Sequence, residues 1–162
     1  LPILHMTIAP AEVSEDVAKE AHELALRLAQ GFELAGILAI ELFVTKDERV
    51  IVNELAPRPH NSGHYTIEAC SFDQFDAHIR GIAGWPLEQP ELLKPAVMVN
   101  VLGQHVAPTR ALIAEHPEWN MHDYCKAEVR HDRKMGHITV LTDDTRQTVA
   151  DLERTGCWDD LK

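Results

Sequence analysis

Glu41, Asn53 and Glu54 are the first residues of this chain whose types and spacing suit chemistry. Glu41 sits inside the apolar run Gly36-Ile-Leu-Ala-Ile-Glu-Leu-Phe-Val44, where a carboxylate is unfavourable unless it is paired, hydrogen-bonded or bound to a metal. A polar turn at 45–49 and a second apolar run at 50–55 predict a hairpin that carries Glu41 and Glu54 on adjacent strands. Two carboxylates and the neighbouring amide of Asn53 suit Mg²⁺, which is held by one or two carboxylates plus substrate phosphates. The plainer alternative is a pair of solvent-facing strand residues, or acids paired with Lys or Arg.

A second set follows at once. Arg58, His60, Asn61, Ser62 and His64 crowd into residues 56–64, a stretch whose two prolines and glycine dictate irregular backbone. Arg offers a planar fork for carboxylate or phosphate oxygens, and His titrates near neutral pH. A single loop His is more often structural than catalytic; five such groups beside a candidate metal pair point to a site. The third set is Lys126, Arg130, Arg133 and Lys134. If His131-Asp132 is a hairpin turn, Lys126, Glu128 and Arg130 share a face with Arg133, Met135 and His137. That arrangement makes a basic cluster suited to a phosphomonoester, and an exposed hairpin with solubilising charges explains the same pattern equally well.

Other chemistries find little support. The ten histidines show no HExxH pattern, and His60 and His64 flank Asn-Ser-Gly in a loop rather than a helix. Phosphate-loop, dinucleotide and nucleophile-elbow glycine motifs are missing. With 26 acidic against 15 basic residues, the net charge of −11 argues against a nucleic-acid binder. No apolar run approaches a membrane span. Cys70, Cys125 and Cys157 form no CxxC pair and suit a reducing cytoplasm.

The elements that must position these groups are legible from periodicity. A strand at 3–8 stops at Pro10, and Ser14 caps a helix whose apolar residues run from Val17 to Ala29 and stop at Gly31. After the hairpin and loop come helices at 66–70 and 71–82, the second capped by Ser71, then a buried strand at 95–102. Residues 103–108 read as a domain boundary. A helix at 109–115, strands near 121–130 and 134–141, and a helix at 145–155 complete the chain.

The runs AGILAIELFVTKDERVIVNELAPRPHNSGHYTIEAC, SFDQFDAHIRGIAGWPL, KPAVMVNVLG and KAEVRHDRKMGHITVL, in this order, resemble 5-(carboxyamino)imidazole ribonucleotide synthases. These are ATP-grasp ligases of purine biosynthesis, and the resemblance covers residues 4–142. It implies an α+β fold: the C-terminal half of an ATP-grasp domain over 1–103, with helices packed on antiparallel sheet, then a small β-rich single-hybrid-motif domain over 104–162. It also implies use of ATP and bicarbonate to carboxylate the amine of 5-aminoimidazole ribonucleotide, through carboxyphosphate. By matching position, Glu41 and Glu54 would bind Mg²⁺ or Mn²⁺, with Asn53 and Glu54 at the ATP phosphates. Arg58, His60 and Asn61 would act at the carboxyphosphate, and Ser62, Lys126, Arg133 and Lys134 would hold the ribonucleotide. Family members are commonly homodimers in the cytoplasm.

The family's full chain starts with a separate α/β domain and a lid that grips adenine. Neither is in this sequence, so the chain alone is expected to bind ATP weakly and not to turn over. Two other readings remain: a related ATP-grasp enzyme such as the formate-dependent glycinamide ribonucleotide transformylase, and a non-catalytic dimerisation fragment.

Overall fold

The computed structural model describes residues 3–159; Leu1 and Pro2 of the opening run, and residues 160–162, lie outside the described residues. The chain is α+β and groups into two compact units that interleave in sequence. Among the described residues, one holds the stretch ending at Pro10, Glu68–Ser71 and 92–159; the other holds Ala11–Ile67 and Phe72–Glu91.

The first unit is built on an antiparallel sheet of β1 (Met6–Ala9), β4 (Ala96–Leu102), β5 (Asn120–Asp123) and β6 (Lys134–Leu141), in the order β1-β4-β6-β5. Strands from both sides of residue 103 therefore share one sheet. Every residue of β4 is buried, as a strand covered on both faces requires, and this explains its unbroken apolar pattern. Asn100, fully buried in β4, is satisfied: its side-chain amide donates to the Leu4 carbonyl at 2.8 Å. Val97, Val99, Val101, Ile138 and Val140 pack with Trp119, Leu152 and Trp158 into the core. Trp158 also donates its indole N–H to the Asn100 carbonyl at 3.0 Å, and α5 (Thr145–Arg154) supplies Leu152.

The helix expected at 109–115 begins earlier. After a 3-10 turn at Gly103–His105, α4 spans Val106–Leu112 and tightens into a second 3-10 turn at Ile113–Glu115. Pro108 falls in the first turn of α4, where a missing N–H costs no helical hydrogen bond. The tight hairpin expected with His131-Asp132 as its turn does not form, although β5 and β6 pair antiparallel. β5 ends at Asp123, and residues 124–133 form an irregular loop before β6. Cys125 and Asp132 adopt positive φ of 51° and 58°, which breaks the strand ladder at both ends of that loop.

The second unit is a two-stranded hairpin, β2 (Ala39–Val44) and β3 (Val50–Ala56), with α1 (Glu15–Gly31) packed on it. Ser14 caps α1 through the Val17 N–H, as its sequence predicts. A short α2 (Thr66–Ala69), inside which the two units divide, leads to α3 (Gln74–Ala83). The cap of α3 is Asp73 rather than Ser71. Its Oδ1 accepts the N–H groups of Phe75 and Asp76 at 2.7 and 2.9 Å, and its negative charge favours the helix N-terminus. Gly84, at φ +66°, closes the helix in a left-handed cap.

Candidate functional site

In the hairpin unit, Glu41 and Glu54 are direct register partners on β2 and β3, so both side chains leave the same face of the ribbon. A bulge follows at once, because Leu42 pairs with Val52 and leaves Asn53 as the extra residue. In a regular ladder Asn53 would point away from Glu54; the bulge re-aims it. The Asn53 amide donates to Glu41 Oε2 at 3.1 Å. Like charges in register are mildly destabilising unless screened or neutralised.

The loop after β3 brings the second set to the same place. His60 Nε2 lies 3.6 Å from Glu41 Oε1. Its Nδ1 accepts the Ser62 N–H and meets the Ser62 hydroxyl at 2.9 Å, which leaves Nε2 to carry the proton toward Glu41. Asn61 and Ser62 lie in a 3-10 turn, Asn61–Gly63. Arg58 is exposed and uses one guanidinium N–H on the Pro59 carbonyl at 3.1 Å.

One residue of this site carries no sequence signal. Gln74, 6% exposed at the start of α3, brackets His60: its Oε1 accepts the His60 N–H at 2.8 Å and its Nε2 donates to the His60 carbonyl at 2.8 Å. The same nitrogen meets His64 Nδ1 at 2.8 Å. Thr66 supports it by accepting the Gln74 N–H and donating to the Gly63 carbonyl. A polar residue at a helix start reads as solvent-facing, and the fourteen-residue separation hides its partner.

Among the described residues no group of three or more His, Cys, Asp or Glu could hold a metal ion. Glu41, its register partner Glu54 and the Asn53 amide offer hard oxygen donors of the kind that could hold Mg²⁺ completed by substrate phosphates. An apolar cavity of about 310 Å³ in the same unit, lined mainly by Phe32, Leu34, Leu38, Leu55 and Pro57, includes none of these polar groups.

The third set belongs to the other unit. Lys126 is half-buried; its ammonium donates to the Lys134 carbonyl at 2.5 Å and lies 5.4 Å from the Tyr124 ring centroid. Arg133 donates to the Glu128 carbonyl at 3.2 Å. Arg130 turns away into an ion pair with Glu128, so the flat basic face expected of a hairpin does not form. At the root of the loop, the Arg110 guanidinium holds the Asp123 carboxyl below the usual carboxylate range, helped by the Cys125 N–H.

Comparison with known proteins addresses ancestry. Residues 2–75 match the ATP-grasp domain, and residues 96–151 match the phosphoribosylaminoimidazole carboxylase C-terminal domain. The N5-carboxyaminoimidazole ribonucleotide synthase of Staphylococcus saprophyticus is 46% identical over 147 residues, 90% of this chain and 39% of the relative. The crystal structure of an ADP complex of an N5-carboxyaminoimidazole ribonucleotide synthetase superposes with TM-score 0.94 at 43% identity, covering 98% of this chain and 42% of that one. Over nine tenths of its length the chain is similar to N5-carboxyaminoimidazole ribonucleotide synthases. It spans about two fifths of the length of the relatives it matches. The Aspergillus clavatus N5-carboxyaminoimidazole synthase, solved with ADP and 5-aminoimidazole ribonucleotide, is 35% identical with TM-score 0.82, over 94% of this chain and 43% of that one.

Proposed function

We propose that this chain is the C-terminal part of an ATP- and bicarbonate-dependent ligase that carboxylates the amine of 5-aminoimidazole ribonucleotide in purine biosynthesis. The observation that carries the reading is the in-register Glu41–Glu54 pair, with bulged Asn53 against Glu41 and the Arg58–His60 loop beside it. Kinship with synthases solved with ADP, and in one case with the ribonucleotide, supports the choice of substrates.

In this reading Glu41 and Glu54 hold Mg²⁺ or Mn²⁺, which when bound neutralises the ATP phosphate oxygens. Asn53 fixes Glu41 and lies beside the nucleotide with Glu54. His60, its backbone held by Gln74 and its ring by Ser62, presents an imidazole directed toward Glu41. Arg58 and Asn61 supply donors to the carboxyphosphate oxygens, where positioning and charge stabilisation do most of the catalytic work. Ser62, Lys126, Arg133 and Lys134 hold the ribonucleotide, the three cations at its 5′-phosphate. Residues 1–103 supply the ATP-grasp half and 104–162 the small C-terminal domain. Three unpaired cysteines suit the cytoplasm, and no helix among the described residues is long and apolar enough to cross a membrane. A homodimer completes the reading.

The test is ADP release by the full-length enzyme that contains this chain. Release that requires both bicarbonate and 5-aminoimidazole ribonucleotide is expected; release driven instead by formate and glycinamide ribonucleotide would overturn the assignment.

A further inference from the structure

We infer that Gly103 and Gln104, in the turn that ends β4, are positioning residues for the loop at 124–133, and that they set its affinity for a phosphomonoester. The inference rests on the assignment of Lys126, Arg133 and Lys134 to a phosphate. That loop has no strand partner and carries two non-glycine residues at positive φ, Cys125 and Asp132. Left to itself such a segment samples many conformations, and a ligand that must order it binds more weakly. Something has to hold it.

Its near end is tied to β6. Tyr124 donates its N–H to the Met135 carbonyl at 2.9 Å, and Lys126 donates to the Lys134 carbonyl. Its far end is tied to the β4 turn by a two-point bracket. The Asp132 N–H donates to Gln104 Oε1 at 3.0 Å, and Gln104 Nε2 donates to Asp132 Oδ1 at 3.1 Å. One primary amide thus reads both the backbone and the side chain of a left-handed residue. This bracket sits directly before Arg133 and Lys134.

Gly103 lets the turn approach. A Cβ at this position would lie 1.9 Å from the Arg130 carbonyl oxygen and 2.5 Å from its carbon, so any side chain would push the loop backbone away. The Arg130 carbonyl is itself fixed by the Arg133 N–H at 3.1 Å. The turn is a firm base. His105, 1% exposed, accepts the Leu102 N–H on its Nδ1 at 3.2 Å, and buried Thr109 donates to the His105 carbonyl at 2.6 Å. Leu102 and Lys134 are register partners across β4 and β6, so a rigid turn and a phosphate-binding lysine share one anchor. All of these residues belong to a single compact unit.

The bracket is solvent-exposed, so the fold does not depend on it, whereas the placement of the cations does. The experiment is an NMR titration of this chain with ribose 5-phosphate, read on the loop amides, together with hydrogen exchange at the Asp132 amide and a thermal melt. The unsubstituted chain binds weakly and Lys126→Ala abolishes binding. Gln104→Ala weakens binding about three- to tenfold, as expected for losing one or two hydrogen bonds. It also speeds exchange at Asp132 and leaves the melt nearly unchanged. Gln104→Glu is worse, because it sets two carboxylates together. Gln104→Glu combined with Asp132→Asn restores affinity by reversing the polarity of the pair, a rescue that a merely structural role would not produce. If Lys126→Ala loses binding while both Gln104 variants bind like the unsubstituted chain, the inference is overturned and the phosphate assignment stands. If Lys126→Ala has no effect, or the unsubstituted chain does not titrate, the phosphate assignment falls and the inference falls with it.

Discussion

Glu41 and Glu54 face each other across β2 and β3, and Asn53 and His60 approach only Glu41 of the two. Without a cation this is local repulsion, held in place by a hairpin whose register is fixed by its other pairs. Glu54→Gln should therefore stabilise the metal-free chain by about 0.5 kcal/mol, measured as a shift in the urea midpoint with unchanged slope. A loss of stability would mean that the second carboxylate is engaged elsewhere. Gln74 makes the opposite prediction. Its truncation to Ala strips partners from the His60 N–H and carbonyl, costing about 1–3 kcal/mol and accelerating amide exchange at His60; unchanged exchange would remove Gln74 from the site. Glu41 was legible because an acid inside an apolar run demands a reason. Gln74 was not, since its role depends on where α3 begins relative to a loop fourteen residues upstream.

Elements decide which of these side chains meet. The β2–β3 bulge turns Asn53 toward Glu41, and it has no sequence signature, because one extra residue in a ladder changes no residue type. The loop at 124–133 alternates charged and apolar residues as a strand would, yet Cys125 and Asp132 take left-handed backbone that only the tertiary setting reveals. Strand cores and helix interiors are legible in the sequence, since period and apolar runs report burial directly. The caps and starts of α3 and α4 shifted by a few residues, because Asp73 outcompetes Ser71 and Pro108 is tolerated in a first turn.

The root of the basic loop offers a pH test. The hydrogen bond from Arg110, and then the Cys125 N–H, lowers the Asp123 pKa. A group depressed in this way contributes stability above its unfolded pKa, and that contribution is lost as the pH falls through its folded value. Asp123 is 36% exposed on its side chain, so the gain is modest. Arg110→Ala should move the Asp123 carboxyl titration upward toward the ordinary range by NMR. A midpoint that stays put would show that the Cys125 N–H suffices.

At the scale of the whole molecule, a mixed sequence order produces two compact units, and each carries one part of the proposed chemistry. The acids and the Arg58–His60 loop belong to the unit built on the β2–β3 hairpin, and the cationic loop belongs to the four-stranded sheet. The strands and α-helices of both are legible in the linear sequence, but the joining of β1 and β4 to β5 and β6 is not, because pairing between residues as far apart as Met6 and Val99, or Leu102 and Lys134, leaves no local pattern. The chain spans about two fifths of its relatives' length, and on our reading turnover needs the span of those relatives that it does not match. It should show no ribonucleotide-dependent ATP hydrolysis by itself; clear turnover would break that reading. The most direct test of the central claim is Glu41→Gln in the full-length enzyme. If Glu41 holds the ion that neutralises the phosphates, the substitution removes several kcal/mol of charge stabilisation and lowers kcat/KM roughly a hundredfold or more, while the melting temperature holds or rises. Activity within a fewfold of the unsubstituted enzyme, in a folded protein, would contradict the account.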